Sequence, residues 1–126
     1  MEVRSGWYEE LPEQCPPGGA FTPKEFVCYR LCGSEAVVDS DFLSHRHLYP
    51  TKTFNAPECR ARSISVFKKK EDLSGILKLA AHRNKAIVKL TLNPNDGAAM
   101  KTGKDSHHSW WRSNEFDISR SSEVEP

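Results

Sequence analysis

Five polar residues stand in or beside segments that are otherwise apolar enough to form strands: Arg30, Ser63, Ser65, His107 and His108. Arg30 lies among aromatic and aliphatic residues, where a guanidinium without a partner is costly to bury. Its planar fork matches the oxygens of a phosphate or a carboxylate. Arg30 is therefore predicted to bind an anionic ligand. An ion pair with Asp39 or Asp41, or a solvent-facing position, would explain it equally well.

Ser63 and Ser65 are two residues apart, so they share one face of a predicted strand. Small hydroxyls there can orient a ligand, or can satisfy local backbone groups instead. A Ser-His-Asp hydrolase is not predicted, because the chain has no G-x-S-x-G motif and neither serine has an activating base nearby in sequence.

The segment from His107 to Trp111 holds two imidazoles and two indoles. Neighbouring residues in a strand point to opposite faces, so His107 or His108 is expected to face a cleft as a hydrogen-bond donor or proton carrier. One indole is expected in the core. The other, taken here as Trp110, is predicted to stack on a base or ring of a ligand, or to cover the N-terminal segment.

Three of the four cysteines and two nearby histidines raise the question of zinc; the set is Cys28, Cys32, His45, His47 and Cys59. Zinc takes four such ligands in a tetrahedron. Cys28 and Cys32 would be about 13 Å apart on a strand, too far for one ion, so no metal site is predicted. Because the N-terminus lacks an apolar signal core, the protein is predicted to be cytoplasmic, with reduced thiols.

Length and composition narrow the class of protein. A chain of 126 residues is about one domain. With 37% hydrophobic residues and a net charge of +1, the whole chain is neither a basic nucleic-acid arm nor an acidic disordered segment. No apolar run reaches the ~18 residues of a membrane span, so no membrane partner is expected. Residues 21–113 carry a net charge of +7, which favours an anionic small molecule, a nucleotide or another acidic partner.

The segments that must position these side chains can be read from apolar periodicity. Runs rich in β-forming residues predict four strands, at 26–31, 62–67, 86–92 and 107–111. An apolar stripe predicts one helix over 71–82. A short helix capped by Ser40 or Asp41 and a long loop at 45–59 complete the pattern. The predicted fold is α+β, a small and mostly antiparallel sheet of about four strands with one main helix.

Proline and glycine suggest the domain boundaries. Residues 1–23 are predicted to form an extended, Pro-rich N-terminal arm. Residues 24–118 form the single α+β domain, and residues 119–126 are predicted to be a disordered tail.

The order of motifs resembles that of small ADP-ribosyltransferase-like proteins of the Arg/Ser type. The motifs are Tyr29-Arg30 in a first strand, Ser63-Ile64-Ser65 leading into a helix, and the strand at 86–92. The resemblance implies that Arg30 holds the phosphates of NAD and that Ser63 or Ser65 shapes the nicotinamide pocket. The family's Gln/Glu-x-Glu motif is matched most nearly by Glu115-Phe116-Asp117. Glu115 is thereby implied as a catalytic residue, with His107 or His108 polarising the ribose.

Three functions are therefore weighed. The first is a small NAD-dependent ADP-ribosyl-transfer enzyme of the toxin or effector kind. The second is a non-catalytic module that binds a nucleotide, a nucleic acid or a protein through the basic body and an exposed tryptophan. The third is a subunit that docks on a larger assembly through its N-terminal arm.

Overall fold

A six-stranded sheet organises the chain. The computed structural model describes residues 6–33, 39–79 and 84–124. The strands are β1 (Phe26–Cys32), β2 (Ile64–Phe67), β3 (Ala86–Leu92), β4 (Gly97–Lys101), β5 (His107–Arg112) and β6 (Ser121–Val124). They lie in the order β4-β5-β2-β1-β3-β6, and every neighbouring pair is antiparallel. The α+β class and the mostly antiparallel sheet are confirmed, but six strands replace the predicted four or so.

The helices are short. They are α1 (His45–Leu48), α2 (Glu58–Ala61) and α3 (Glu71–Leu77), together with 3₁₀ turns at Asp39–Phe42, Pro94–Asp96 and Ile118–Arg120. The segment expected to be a loop at 45–59 thus contains α1 and α2. Ser44 caps α1 by accepting a hydrogen bond from the His47 backbone. Helix α3 ends before the predicted residue 82, and residues 80–83 lie outside the described part.

The main apolar cluster lies on one face of the sheet. Its side chains alternate along the central strands, while Ile87 and Trp111 are buried on the opposite face. The cluster consists of Cys28, Cys32, Phe42, Ile64, Val66, Val88, Leu90, Leu92, Trp110 and Phe116. The Trp110 ring meets Phe116 edge-on, with 4.8 Å between centroids. This packing holds β1, β2, β3 and β5 in a fixed arrangement.

Strand β1 is paired very differently along its two edges. All seven of its residues are in register with β3. In the described residues, its register with β2 consists of one pair, Tyr29 with Phe67. We call the edge of β1 that faces β3 the closed edge and the edge that faces β2 the open edge. At the open edge, backbone groups must find partners other than the opposite strand.

A disulfide ties the N-terminal segment to the domain. Cys15 is bonded to Cys59 in α2, and the backbone also forms bridges from Trp7 to Ser113 and from Phe21 to Ala99. The prediction of four reduced thiols is therefore wrong, because elements far apart in sequence bring this pair together. Cys28 and Cys32 remain thiols, and burial raises the pKa of each to about 12.

The C-terminal segment also differs from its prediction. Residues 119–126 were expected to be disordered, but strand β6 pairs antiparallel with β3 from Ile87 to Leu90. Polar composition does not prevent this, because the backbone supplies the ladder hydrogen bonds. No helix within 6–33, 39–79 or 84–124 is long and apolar enough to cross a membrane.

Candidate functional site

The Arg30 side chain lies at the open edge. Its Nε donates to the Asp41 carbonyl at 2.7 Å, and its Nη1 donates to the Ser65 carbonyl at 2.7 Å. Burial lowers the pKa of Arg30, while interactions with the neighbouring Cys32 and Asp41 act in the opposite direction. A guanidinium nevertheless stays protonated at neutral pH. A fixed positive charge therefore lies where the sheet opens, and it satisfies a carbonyl that β1 leaves unpaired.

Ser65 and His107 form a hydrogen-bonded pair across β2 and β5. Ser65 Oγ lies 3.0 Å from His107 Nε2. On the other side of the ring, His107 Nδ1 lies 3.1 Å from the Thr102 carbonyl and 3.0 Å from its hydroxyl. Because a carbonyl can only accept, this arrangement favours the proton on Nδ1 and leaves Nε2 as an acceptor. Ser65 then donates its hydroxyl proton to the imidazole.

The imidazole of His107 is neutral at physiological pH. Burial lowers its pKa from the ordinary 6.5, and the positive charges of Arg60 and Lys101, together with His108, act in the same direction. The hydrogen bond to the Thr102 backbone opposes them. A neutral imidazole whose Nε2 accepts the Ser65 hydroxyl proton in a hydrogen bond can also take up that proton, which is what a general base must do.

His107 lines a cavity of about 460 Å³. The cavity combines two cations, two carboxylates and two apolar side chains: Arg60, Lys104, Asp72, Asp105, Phe67 and Ile76. Ser106 donates to Asp72 from its hydroxyl and its backbone, which lowers the pKa of Asp72 and keeps the carboxylate charged. The volume falls within the roughly 300–1,000 Å³ of ligand pockets, and the lining suits a ligand with both anionic and cationic character.

Three of the predicted site residues are linked through Ser65, and they come from three strands. The register places the Arg30 side chain on the face of Val66 and Val88, opposite to the side chains of Ser65 and His107. Arg30 in β1 contacts Ser65 in β2 through the backbone, and Ser65 contacts His107 in β5 through its side chain. Antiparallel neighbours place residues distant in sequence side by side. The cluster of Arg30, Ser65 and His107 is called the open-edge site below.

The predicted ligand contact of Trp110 is wrong, whereas that of Ser63 stays a prediction. Trp110 is fully buried in the core and donates its indole N–H to the Asp96 carbonyl, so it cannot stack on a ligand. Trp111 is fully buried as well. Ser63 donates its hydroxyl to the Arg60 carbonyl at 2.7 Å, which is the local backbone role that the sequence allowed.

Two predicted catalytic residues lie elsewhere. His108 points to the opposite face from His107, donates Nδ1–H to the Ser106 carbonyl and is buried beside Phe26. Glu115 follows β5 and lines a separate cavity with Tyr8 and Arg112. The resemblance placed a carboxylate at Glu115, whereas Asp72 and Asp105 are the carboxylates beside His107.

Sequence reasoning missed Arg60, Asp72 and Thr102. Asp72 could have been suspected, because it lies in the first turn of α3 directly after a strand that carries a candidate serine. No sequence pattern indicated a role for Thr102, because that role depends on the turn that joins β4 to β5. The position of Arg60 depends on α2, a helix that the sequence did not predict.

Another cavity, of about 480 Å³, lies against the N-terminal segment and is lined in part by Arg46 and Arg62. Both arginines form ion pairs with Glu58 at 2.8 Å and lower its pKa. Arg46 also donates to the carbonyls of Pro50 and Lys52. The guanidiniums of Arg46 and Arg62 therefore stabilise the fold.

The cysteine and histidine set considered for zinc is dispersed. Cys59 is in the disulfide, and Cys28 and Cys32 are buried four residues apart in β1. Across the described ranges, no three potential metal ligands are grouped closely enough to hold an ion.

Comparison with known proteins gives no relative: no family model matches the chain, and neither a curated protein nor a solved structure matches it.

Proposed function

We propose that the open-edge site binds NAD and cleaves its nicotinamide–ribose bond, transferring ADP-ribose to an acceptor. The observation that carries this proposal is the Ser65–His107 pair beside a cavity lined by both cations and carboxylates. NAD carries an anionic pyrophosphate and a cationic nicotinamide, so a cavity of mixed charge suits it.

Arg30 is the proposed phosphate anchor. A guanidinium has five N–H donors, and the carbonyls of Asp41 and Ser65 take one each. The remaining donors are available to pyrophosphate oxygens, and Arg60 and Lys104, unlike Arg30, line the cavity beside His107 and add positive charge there. An anchored pyrophosphate would fix the ribose in relation to the reacting groups.

The cavity carboxylates and His107 would serve the chemical step. As nicotinamide leaves with the bonding electron pair, positive charge develops on the ribose, and a charged Asp72 or Asp105 can stabilise it. The acceptor oxygen then bonds to the ribose carbon, and its proton passes to Nε2 of the neutral His107.

The lysine-rich surface favours a second candidate function. A cavity of about 320 Å³ is lined by Lys68, Lys69, Lys101 and His108, together with Ser106 and the carboxylates of Asp72 and Asp105. A nucleic acid or other polyanion could bind there without catalysis. This candidate no longer includes an exposed tryptophan from β5, since both are buried. The third candidate, docking through the N-terminal arm, would use a segment that is already paired with the domain.

The disulfide also bears on where the protein acts. Disulfides persist mainly in oxidising environments, so Cys15–Cys59 favours such an environment over the cytoplasmic location predicted from the sequence.

The test is release of nicotinamide when the purified protein is incubated with NAD. We expect wild type to release it and Arg30→Ala to do so about 10- to 100-fold more slowly, because a charge-assisted contact is worth about 1.5–3 kcal/mol. Arg30→Lys keeps the charge and controls for a folding defect, with the fluorescence of the buried Trp110 and Trp111 reporting the fold. Lys24→Gln removes an exposed positive charge elsewhere and should behave as wild type.

Absence of nicotinamide release together with absence of an NAD-induced thermal shift would refute the proposal. A thermal shift without release would favour the binding module. Titration with single-stranded nucleic acid at two salt concentrations would then test that function directly.

A further inference from the structure

We propose that Ser65 is an activated nucleophile that accepts an acyl group from a small ester, with His107 as its general base. The Thr102 carbonyl acts as the group that orients this base. This activity goes beyond ADP-ribosyl transfer and does not require NAD. It assigns to Ser65 a covalent role that the sequence did not predict, because the base is 42 residues away.

The geometry meets the requirements for nucleophile activation. A serine and its base must lie within about 2.6–3.2 Å, with the base held by a third group. Ser65 Oγ and His107 Nε2 are 3.0 Å apart, and His107 Nδ1 is 3.1 Å from the Thr102 carbonyl. The chain of contacts therefore runs from hydroxyl to imidazole to carbonyl. The carbonyl holds the imidazole in the tautomer that can accept the serine proton.

Rigid neighbours hold the base. The buried Thr102 hydroxyl lies 2.8 Å from Ser109 Oγ, which links the turn after β4 to β5. Gly103 backs the imidazole: its φ is +64°, and a Cβ there would come within 3.0 Å of His107 Nδ1. The ring is thus held from the side opposite to Ser65, as a preorganised base requires.

Access and charge fit an acyl substrate. Ser65 is exposed, and the half-buried His107 lines the cavity that also holds Arg60 and Lys104. These cations can stabilise the negative oxygen of a tetrahedral intermediate and can attract an acyl group that bears a carboxylate. The expected substrates are therefore small esters, with acidic acyl chains preferred.

Acyl transfer begins with attack of Ser65 on the carbonyl carbon of the ester. Ser65 Oγ bonds to the carbonyl carbon, its proton moves to His107 Nε2, and the carbonyl electron pair moves to oxygen. When the carbonyl re-forms, the bond to the alcohol breaks, and the imidazolium returns the proton to that leaving group. Water then attacks the acyl-Ser65 ester with the same proton path, which yields the acid and the free enzyme.

Ser63 is the matched internal control. It is two residues from Ser65, but its hydroxyl donates to the Arg60 carbonyl instead of an imidazole. Any reactivity that stems from serine exposure or from the local charge should appear at both residues. Reactivity that stems from activation should appear at Ser65.

The experiment uses two probes on the intact oxidised protein: a fluorophosphonate, with the labelled peptide identified by mass spectrometry, and 4-nitrophenyl acetate hydrolysis. Wild type should be labelled at Ser65. Ser65→Ala should abolish labelling at this position, because it removes the nucleophile. His107→Gln should lower the labelling rate by about 100-fold or more, the order of a general-base contribution. Ser63→Ala should leave it unchanged. Gly103→Ala should lower the rate by displacing the imidazole, without removing any reacting group.

The pH profile separates a base from a structural histidine. As the pH is lowered, the labelling rate of wild type should fall with a midpoint below pH 6.5. The reason is that burial and the charges of Arg60 and Lys101 lower the pKa of His107. The other charged or titratable groups near the ring are His108, Lys104, Asp72 and Asp105. In His107→Gln, the residual labelling should lack this midpoint.

Equal labelling of Ser63 and Ser65, or labelling of Ser65 at the wild-type rate in His107→Gln, would overturn the proposal. So would no labelling of the folded wild-type protein. Each of these results leaves nicotinamide release from NAD untouched, so the two proposals fail separately.

Discussion

The two edges of strand β1 show how one strand can serve stability on one side and chemistry on the other. Along the closed edge, all seven residues are in register with β3, and Leu90 and Val88 are fully buried. Along the open edge, Tyr29 and Phe67 form the one register pair with β2 in the described residues. Along the closed edge, the backbone hydrogen bonds between β1 and β3 are sufficient, and no side chain has to complete them.

The open edge is completed by a side chain. Arg30 supplies the hydrogen bond that the Ser65 carbonyl would otherwise take from a neighbouring strand. A side-chain donor can also interact with a ligand, whereas a ladder hydrogen bond cannot do so without breaking the sheet. The difference between the edges predicts that mutations at the closed edge alter stability and that mutations at the open edge alter function more.

The largest expected effect is the loss of stability when the disulfide beside the open edge is reduced. The Cys15–Cys59 bond spans 44 residues and joins the N-terminal segment to α2, just before β2. Reduction should lower the free energy of unfolding by about 4 kcal/mol, because a cross-link of this length restricts the unfolded chain. Urea denaturation with and without reductant measures this. A Cys15→Ser/Cys59→Ser variant should be insensitive to reductant, and equal midpoints for oxidised and reduced wild type would contradict the prediction.

The closed edge is tested by Leu90→Ala. The Leu90 side chain of β3 is fully buried in the core. Its truncation should therefore lower the free energy of unfolding by about 3 kcal/mol, as measured by urea denaturation. The rate of Ser65 labelling per folded molecule should stay at the wild-type value, because the open-edge site does not involve Leu90. A large loss of labelling in the folded variant would show that the two edges are not separable.

Arg30→Ala tests the same contrast from the open edge. It leaves the carbonyls of Asp41 and Ser65 without their donor, at a cost of about 1–3 kcal/mol in unfolding free energy. Arg30→Lys should recover part of this loss, since an ammonium can reach one carbonyl but not both in the same geometry. If Arg30→Ala were as stable as wild type, Arg30 would not be what completes the sheet.

The smallest effect is the dependence of stability on pH. The folded state lowers the pKa of His107, so the unfolded chain binds more protons just below pH 6.5. Stability should therefore fall as the pH drops from above 6.5 through the folded pKa of His107, and His107→Gln should flatten this part of the curve. The lowered pKa values of Asp72 and Glu58 act in a separate, more acidic range, below about 4.5. A curve unchanged by His107→Gln between pH 7 and 5 would contradict the assignment.

Strands with strong β-forming patterns could be predicted from the sequence. β1, β3 and β5 lie close to their predicted bounds, since Ala86–Leu92 and similar runs alternate or cluster apolar residues. β4 could not, because Gly97, Ala98 and Ala99 are small and have low intrinsic β-propensity. Its position is fixed by tight packing: a Cβ on Gly97 would come within 1.9 Å of the Trp111 carbonyl.

The candidate site was predicted only in part, because its contacts depend on register. The sequence singled out Arg30, Ser65 and His107 by residue type, but the pairing of Ser65 with His107 follows from the alignment of β2 with β5. Trp110 was misassigned because strand alternation does not say which face is covered, and both tryptophans are buried. The disulfide joins residues 44 positions apart, a proximity that no local pattern encodes.

The most direct test of the open-edge site is to follow the histidine side chains by NMR while NAD is added. His107 lies in the site, and the exposed His45 and His47 in α1 are internal controls. The account predicts a saturable shift of the His107 ring resonances, abolished by Arg30→Ala, with little change at His45 and His47. An unchanged His107 signal at millimolar NAD, or equal shifts at all three rings, would contradict it.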